Sequence, residues 1–363
     1  MQKDMVINMK LIHTADLHLC SKINASLDPE KTAIRRAEIL SAFVSMTVYA
    51  KENGVRAILI SGDLFDERER VVRSTLKTFL RTCRDSASID FYIISGNHDA
   101  EDFSKIWSDI PENVHLFPKD EGFTSYMLEE NVCISGAQIN DTDNRALAQS
   151  LSLDKDAVNI VMLHGMMERS GNVLCKKMFA DKNIDYLALG HIHSYRAEKL
   201  DKRGIWCYSG CPAGRGFDEC GEKGFSLINI ENNTLTHEFV KLDGRVIHDI
   251  TVDATGVEDL LRAALDACVN AHGRDIVSVT LVGEYEEDNI PDTELIRVKL
   301  SEKFWYARVQ NKMGVHSDIT KYQNVISLKG EFLRTVQGAK LTEAQKRDII
   351  ACGFAALSGE DNF

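Results

Sequence analysis

Short runs of consecutive apolar residues recur through the first half of the chain, and each run ends abruptly in polar residues. The runs read MKLIH, RAILIS, FYIIS, VNIVML and DYLAL. Runs of this length, rich in Ile, Leu and Val and without alternation, are typical of strands buried on both faces. The apolar spacing between them predicts two helices, one after Pro29 with apolar positions from Ile34 to Val48, and one that includes Leu76, Phe79 and Cys83. We therefore predict alternating strands and helices, followed by a region made mostly of strands (GIWCYSG, GFSLINI and LTHEFVKL).

Each of the five runs is followed by residues of the types that bind metal ions. The five clusters are Asp16-x-His18, Gly62-Asp63-x-x-Asp66, Gly96-Asn97-His98-Asp99, His164 and Gly190-His191-x-His193. Ligands of open α/β sheets collect at the carboxyl ends of the strands. A set of carboxylates, an amide and imidazoles, without cysteine, suits Mn, Fe or Zn better than it suits a structural zinc ion held by thiolates. Seven potential ligands are too many for one tetrahedral ion, but they suit two ions roughly 3.5–4 Å apart that share a carboxylate.

Each cluster taken alone also has an ordinary structural explanation. Gly-Asp after a strand is a common turn, and His164 alone could be a hydrogen-bonded histidine near the surface. His191 and His193 are two residues apart, which places both imidazoles on one face of a strand. Burying this many polar and charged groups together without a cation would cost several kcal/mol for each unpaired ion. The combination of clusters therefore favours a two-metal site.

Composition and charge narrow the class of protein. The 363 residues can form two domains, and 44% apolar with 27% charged residues is ordinary for a soluble globular chain. No run of 18 apolar residues and no signal-peptide core is present, and nine scattered cysteines fit reduced thiols, so we expect a cytoplasmic protein without a membrane partner. Because the net charge is −12, binding to DNA phosphates would require a local basic region, bound cations or a partner protein.

In order and spacing, the five clusters resemble the motif set of the calcineurin-like metallophosphoesterases. The resemblance implies an α/β fold with a β-sandwich core flanked by helices, and hydrolysis of phosphoesters with two divalent ions, Mn²⁺ as first choice and Fe, Zn or Mg as alternatives. The resemblance implies that Asp16, His18 and His193 hold the first ion and that Asn97, His164 and His191 hold the second. Asp63 would bridge the two ions. His98 would face the substrate as a proton donor, and Asp66 would orient it.

The chain after His193 indicates which branch of this family it is similar to. The segment YSGCPAGRGFDECGEKGFSLINI resembles the stretch after the last metal motif in SbcD-type DNA repair exonucleases. This resemblance implies three parts, a nuclease domain at 1–244, a small α/β capping domain that binds DNA at 245–335, and a C-terminal helical segment at 336–363. It also implies DNA and an SbcC-type coiled-coil ATPase as partners, and a possible homodimer. The stretch from Arg245 to Met313 itself reads strand, helix, strand and then helix, strand.

Several points stay open at the level of sequence. A small-molecule phosphodiesterase, for example one acting on cyclic nucleotides, is the alternative to a DNA nuclease. Arg68 and Arg215 are candidates for substrate contact, with a solvated helix face and a structural loop arginine as the alternatives. Relatives from eukaryotes and archaea have a histidine where Asp66 stands, which leaves the balance of exonuclease and endonuclease activity undecided. Thr342 and Gln345 fit a capping box at the start of the C-terminal helix. The apolar stripe of this helix could dock on a partner or on its own domain.

Overall fold

The computed structural model divides into two compact units, Met1–Ile247 and His248–Phe363. It describes residues 8–23, 25, 27–66, 73–99, 107, 109–119, 122–139, 143–168, 170–171, 173–286, 290–316 and 319–357. The division at Ile247 lies close to the first predicted boundary, after residue 244. The second predicted boundary, after residue 335, falls inside the second unit, and the roles assigned to the three parts stay predictions.

The first unit is built on two six-stranded sheets. The strands of the first sheet are β1 (Asn8–Thr14), β2 (Val55–Ser61), β3 (Asp90–Ile94), β4 (Val114–Leu116), β11 (Gly224–Glu231) and β12 (Thr234–Lys241). Those of the second are β5 (Thr124–Glu129), β6 (Val132–Gly136), β7 (Val158–His164), β8 (Tyr186–Gly190), β9 (Arg196–Lys199) and β10 (Ile205–Tyr208). Their spatial orders are β12-β11-β1-β2-β3-β4 and β5-β6-β7-β8-β10-β9. The strands β1 to β4 are parallel, as are β6, β7, β8 and β10, so their carboxyl ends meet at shared edges.

The two sheets pack face to face around one apolar core. Leu11, Leu59 and Tyr92 of the first sheet share this core with Ile160 and Met162 of the second. Helices cover the outer faces. On the first sheet lie α1 (Pro29–Glu52) and α2 (Arg73–Arg84), and on the second lie α3 (Arg145–Ser150) and α4 (Lys176–Phe179). The predicted β-sandwich flanked by helices is confirmed.

Helix α1 begins where the sequence predicts, and it buries only part of the predicted apolar set. Asp28 caps it by accepting a hydrogen bond from the Lys31 backbone N–H at 2.8 Å, with Pro29 in the first turn. Its buried stripe passes through Ile39 and Phe43, whereas Val48 is exposed. Because a helix turns about 100° per residue, Val48 lies about half a turn around the helix from Ile39. The predicted apolar positions include Phe43, which is buried, and Val48, which is not, whereas Ile39 lies outside the predicted set and is buried. Only one side of the helix contacts the sheet.

Buried Arg35 of α1 connects this helix to a loop that follows β10. Its Nη2 and Nε donate to the Gly214 carbonyl at 2.6 and 3.0 Å, and its Nη1 lies 2.8 Å from a carboxylate oxygen of Glu38. The guanidinium is thus paired and hydrogen-bonded, as a buried charge must be. The consequence is that the residue before Arg215 is anchored to a long helix.

The second unit contains a three-stranded sheet in the order β13-β14-β16 and a two-stranded sheet. Its elements are β13 (Ile247–Asp253), α5 (Leu260–Ala267), β14 (Ile276–Val282), β15 (Glu284–Glu286), α6 (Thr293–Lys303), β16 (Tyr306–Asn311), β17 (Gly314–His316), a 3₁₀ helix (Ile319–Tyr322), α7 (Leu328–Gly338) and α8 (Glu343–Leu357). Strand, helix, strand and then helix, strand is the order that the sequence predicts for 245–311.

Helix α8 has the predicted capping box. The Thr342 N–H donates to Gln345 Oε1 at 3.0 Å, and the Gln345 N–H donates to Thr342 Oγ1 at 3.3 Å. Ile350 and Phe354 of its apolar stripe pack against α7, so this part of the stripe docks within its own unit. No helix in the described part of the chain is long and apolar enough to cross a membrane.

Candidate metal centre

The loops that carry the motifs have an unusual backbone. Asp16, His18, Asp63 and His191 all have positive φ, at 53°, 44°, 52° and 102°. Residues other than glycine rarely adopt this left-handed backbone conformation, and those that do are concentrated at functional sites. A Cβ at Gly96 would lie 2.2 Å from Asp63 Oδ1, so only glycine lets the third motif approach the second.

The first group of donor atoms contains Asp16, His18 and His193, which come from the ends of β1 and β8. One donor atom of each lies within 4.8 Å of the others. The Nε2 atoms of His18 and His193 are 3.4 Å apart, and His193 Nε2 is 3.8 Å from Asp16 Oδ1. Two imidazole nitrogens and a carboxylate oxygen thus face one point, an arrangement that suits a cation placed between them.

The second group contains Asn97, His164 and His191, from the ends of β3, β7 and β8. Asn97 Oδ1 is 2.9 Å from His164 Nε2 and 3.1 Å from His191 Nδ1. All three side chains are neutral when the imidazoles are unprotonated. The group therefore offers one amide oxygen and two ring nitrogens, without a carboxylate of its own.

Asp63 lies between the two groups. Its Oδ2 is 3.6 Å from His18 Nε2 of the first group and 3.3 Å from His164 Nε2 of the second. Its Oδ1 accepts a hydrogen bond from the His98 backbone N–H at 2.8 Å. One carboxylate oxygen thus faces both groups at once, which is the position that a bridging ligand needs.

Burial and mutual charge shift the pKa values of these groups strongly. Burial raises the pKa of Asp16 to about 6 and lowers that of His18 to about 3. Asp63 and His164 form a pair in which burial alone would raise the pKa of the acid and lower that of the histidine. The hydrogen bond and the charge attraction between them outweigh burial, so the pKa of Asp63 is lowered to about 2 and that of His164 is raised to about 9.

Within the described residues, neither Asp16 nor Asp63 pairs with a lysine or arginine, although both are almost completely buried. Two buried carboxylates without a basic partner are costly unless cations offset their charge. The mixture of carboxylate, amide and imidazole donors fits divalent ions such as Mn, Fe or Zn. The residues present therefore fit a pair of divalent metal ions.

Hydrogen bonds behind two of the histidines fix which nitrogen faces the site. His164 Nδ1–H donates to the Ser61 carbonyl at 2.8 Å, and His193 Nδ1–H donates to Glu219 Oε1 at 2.7 Å. Each bond leaves Nε2 unprotonated in the neutral ring and aimed at the donor group. No pattern of residue types indicated this role for Glu219, because an acid in a glycine-rich segment is an ordinary loop residue.

A second acid that sequence reasoning did not assign holds the motif loops together. The Asp99 carboxylate accepts hydrogen bonds from the backbone N–H groups of Leu64 and Phe65, at 3.3 and 2.8 Å, and from that of Gly96 at 2.8 Å. Burial raises its pKa to about 7. Asp99 thus joins the second motif loop to the third and supports the position of Asp63.

His98 and Asp66 lie at the rim of the donor groups. Asp66 Oδ1 is 3.5 Å from His98 Nδ1, and the His98 ring centroid is 5.3 Å from that of His18. His98 is one-third exposed, so its ring can meet a ligand. This placement, outside both donor groups, is compatible with the predicted proton donor and its orienting acid.

The predicted substrate contacts are only partly described. Arg68 lies outside the described residues. Arg215 is largely buried, and its Nη2 and Nε donate to Glu219 Oε1 at 2.6 and 2.9 Å. Its Nη1 is 4.0 Å from Asp66 Oδ2, so the guanidinium lies between the acid behind His193 and the acid beside His98. Contact of Arg215 with substrate stays a prediction.

Comparisons of the sequence with known proteins identify the family that it resembles. The sequence profile of the calcineurin-like phosphoesterases matches residues 9–195. The uncharacterized metallophosphoesterase YhaO of Bacillus subtilis is 32% identical over 279 residues, 70% of this chain and 66% of that protein. The DNA double-strand break repair protein Mre11 of Sulfurisphaera tokodaii is 24% identical, and the match covers 94% of this chain and 92% of that protein. A subunit of the nuclease SbcCD from Staphylococcus epidermidis is 25% identical, and the match covers 70% of this chain and 74% of that protein.

The matched residues include all five motifs and more than half of the chain. The chain spans just under two thirds of the Bacillus relative. The family consists of phosphoester hydrolases, and together with the donor groups it supports a site for two divalent ions. The resemblance drawn from the motifs is confirmed, and the chain belongs to the calcineurin-like phosphoesterase family.

Proposed function

We propose that this chain hydrolyses phosphodiester bonds of DNA, as the nuclease subunit of a complex with an SbcC-type ATPase. The observation that carries the catalytic part is the position of Asp63 Oδ2, 3.6 Å and 3.3 Å from a histidine of each donor group. Support for DNA as the substrate comes from the relatives named for DNA break repair and for the nuclease SbcCD. The ATPase partner and a role in DNA repair in the cytoplasm belong to the same proposal.

The proposal assigns each donor group to one ion. The proposed ligands are Asp16, His18 and His193 for the first ion, Asn97, His164 and His191 for the second, and Asp63 for both. Bound divalent ions, Mn²⁺ by preference, would supply an activated water and Lewis-acid stabilisation of the phosphoryl oxygens. The sharing of Asp63 keeps the two positions in a fixed relation to each other.

His98 and Asp66 perform the proton transfer in this proposal. The Asp66 carboxylate faces His98 Nδ1 at 3.5 Å, which favours the proton on that nitrogen and leaves Nε2 for the substrate. In the protonated ring, Nε2–H donates to the leaving oxygen as the P–O bond breaks. Arg215 holds Asp66 and Glu219 in place, and its charge offsets theirs.

Because the net charge is −12, the contacts that attract DNA phosphates must be confined to a local region of the surface. Divalent ions at the site, basic residues beside it and the ATPase partner would provide these contacts. We therefore expect the isolated chain to bind DNA weakly and its affinity to increase when the partner is present.

A direct assay separates DNA from small-molecule substrates. The purified chain is incubated with Mn²⁺ and linear duplex or single-stranded DNA, alone and with the partner ATPase, beside bis-p-nitrophenyl phosphate and cyclic AMP. We expect Mn-dependent cleavage of DNA. Hydrolysis of the small esters without any cleavage of DNA, even with the ATPase present, would instead support a small-molecule phosphodiesterase.

Replacement of Glu219 by Gln is expected to weaken metal binding about 10- to 100-fold, the usual cost of losing a carboxylate behind a ligating histidine. The change removes the charged acceptor of His193 Nδ1–H and takes from Arg215 its closest carboxylate. Titration of the metal-free protein with Mn²⁺ in a calorimeter measures the affinity. Glu198→Gln, at an exposed carboxylate paired with Arg196, is the matched control and should bind normally.

Metal binding is expected to release protons and to weaken as the pH falls. At about pH 7.5, His164 of the metal-free protein is protonated, since its pKa is about 9, and it must lose a proton to become a ligand. The affinity should therefore fall with decreasing pH below about 9, and more steeply below about 6, where Asp16 also takes up a proton. Calorimetry in buffers of different ionisation enthalpy should detect release of at least one proton at pH 7.5, because the hydrogen bond to Glu219, against the effect of burial, raises the pKa of the proposed ligand His193 as well. Affinity independent of pH between 6 and 9 would contradict this account.

A further inference from the structure

Three buried polar side chains connect the two sheets of the first unit. His13 of β1 and Ser226 of β11 are direct neighbours across the first sheet, whereas Tyr186 of β8 belongs to the second sheet. All three side chains are completely buried. The Tyr186 hydroxyl donates a hydrogen bond to Ser226 Oγ at 3.0 Å, and it accepts one from His13 Nδ1–H at the same distance.

These hydrogen bonds lie within the apolar core between the sheets. Leu59 of the first sheet and Ile160 of the second belong to the same core as Tyr186. If the sheets moved apart here, a hydroxyl and an imidazole would remain buried without partners, which costs free energy. The three side chains therefore stabilise one separation of β8 from β1 and β11.

The two sheets converge further along β8, towards the metal centre. Alternate residues of β8 face the first sheet, and they become smaller in the order Tyr186, Ala188, Gly190. A Cβ at Gly190 would lie 1.9 Å from the Ser61 carbonyl oxygen, so the backbones of β8 and β2 touch there. The Ser61 hydroxyl also donates to the Ala188 carbonyl at 3.3 Å. Packed sheets are usually about 10 Å apart, so the contact is closest at the edge that carries the proposed ligands.

This convergence brings ligands from different sheets to one point. Asp16 and His18 follow β1 of the first sheet, whereas His193 follows β8 of the second. The packing of the sheets therefore sets the distances from His193 Nε2 to His18 Nε2, 3.4 Å, and to Asp16 Oδ1, 3.8 Å. Because binding sites need their ligands placed to within about 0.5 Å, a small change in the separation of β8 and β1 would disrupt the first donor group.

We propose that Tyr186 and Ser61 are positioning residues of the metal centre, whose hydroxyl groups hold β8 at the separation from β1 and β2 that two bound ions require. They act on the backbones of whole strands, unlike Glu219, which contacts the ring of a single ligand. The inference rests on the proposed two-ion site and identifies residues outside it that determine the spacing of the ions.

Tyr186→Phe and Ser61→Ala test this role, because each removes one hydroxyl group and otherwise preserves the packing. Ser61→Ala also keeps the carbonyl that accepts from His164. We expect each variant to bind Mn²⁺ about fivefold more weakly than the unmodified chain, the loss that corresponds to one buried hydrogen bond. Calorimetric titration of the metal-free proteins measures the affinity.

Electron paramagnetic resonance of the Mn²⁺-loaded proteins reports on the spacing of the ions. Two Mn²⁺ ions that share a carboxylate are magnetically coupled, and their spectrum differs from that of isolated ions. We expect a coupled spectrum from the unmodified chain. At equal metal concentration, both variants should show a larger share of uncoupled ions.

Tyr126→Phe is the matched control for a hydrogen bond between the sheets. The Tyr126 hydroxyl donates to the Leu116 carbonyl at 3.2 Å, and it thereby joins β5 to β4, strands that do not lead to a proposed ligand. Urea unfolding of the metal-free proteins should show reduced stability in all three variants. The Mn²⁺ affinity and the magnetic coupling should change only in Tyr186→Phe and Ser61→Ala, whereas a purely structural hydrogen bond would affect stability alone.

Unchanged affinity and coupling in both Tyr186→Phe and Ser61→Ala would overturn the inference, as would an equal loss of affinity in Tyr126→Phe. If Tyr186→Phe does not fold, the result for Ser61→Ala decides. The unmodified chain distinguishes these outcomes from failure of the proposed function. If it binds no coupled pair of ions, the two-ion site itself is refuted, and the inference with it.

Discussion

Asp63→Asn is expected to reduce kcat/KM for phosphodiesters by on the order of 10³-fold, because a shared ligand contributes several kcal/mol of transition-state stabilisation through the ions that it holds. The amide lacks the charge that faces His18 and His164 at 3.6 and 3.3 Å. Metal content should fall from two ions to about one, since both positions lose their common ligand. Kinetics and metal analysis by mass spectrometry measure the two effects together.

The control for this variant is Asp109→Asn, an exposed carboxylate that is paired with Arg84 and lies outside the five motifs. It should keep full activity and two ions. An Asp63→Asn protein that retained both full activity and full metal content would show that Asp63 does not bridge the two positions.

His98→Gln is expected to lower kcat for DNA by on the order of 10³-fold while leaving metal content unchanged, because general acid catalysis contributes about 10²–10⁴-fold. The residue lies outside both donor groups, and Asp66 is its neighbour at Nδ1. The loss should depend on the leaving group. A DNA alkoxide needs a proton to leave, whereas p-nitrophenolate does not, so the loss on bis-p-nitrophenyl phosphate should be less than about tenfold.

Asp66→Asn provides the companion test, because it removes the acid that orients the ring and keeps the ring itself. We expect a smaller loss on DNA than for His98→Gln, and a double variant no worse than His98→Gln alone, as for residues that act as one unit. Equal losses for the two leaving groups would show that His98 acts by positioning the substrate instead of donating a proton.

The sequence was sufficient to predict which residues come together at the candidate metal centre, because these residues follow strands that are easy to recognise. Buried parallel strands read as continuous apolar runs, and parallel strands bring their carboxyl ends together. Asp16, Asp63 and His191 therefore converge although they are far apart in the chain. The structure adds the left-handed backbone at these residues, which a pattern of residue types does not encode.

The supporting residues could not be predicted, because their roles depend on contacts across the fold. Glu219 acts by accepting from a ring 26 residues earlier in the chain, and Asp99 acts on backbone N–H groups up to 35 residues away. A lone acid in a loop carries no periodicity that would reveal such a role. The buried residues of α1 were predicted only in part for a related reason. Phe43 is buried as expected, but packing on the sheet selects Ile39 over Val48 as its buried neighbour.

The C-terminal unit shows the same limit. The order strand, helix, strand, helix, strand and the capping box at Thr342 follow from local signals, and the structure confirms both. The short strands β15 and β17 and the helix α7 were not predicted. The sequence could not decide where the apolar stripe of α8 docks, because an amphipathic helix has the same pattern on either surface. Ile350 and Phe354 face α7, while Ile349 and Leu357 are exposed.

A crystal soaked in MnCl₂ gives the most direct test, through an anomalous difference map at the manganese edge. We predict two peaks roughly 3.5–4 Å apart, one contacting Asp16 and His193, the other contacting Asn97 and His164, with Asp63 touching both. A map with a single peak, or with no paired peaks among these side chains, would contradict the central claim.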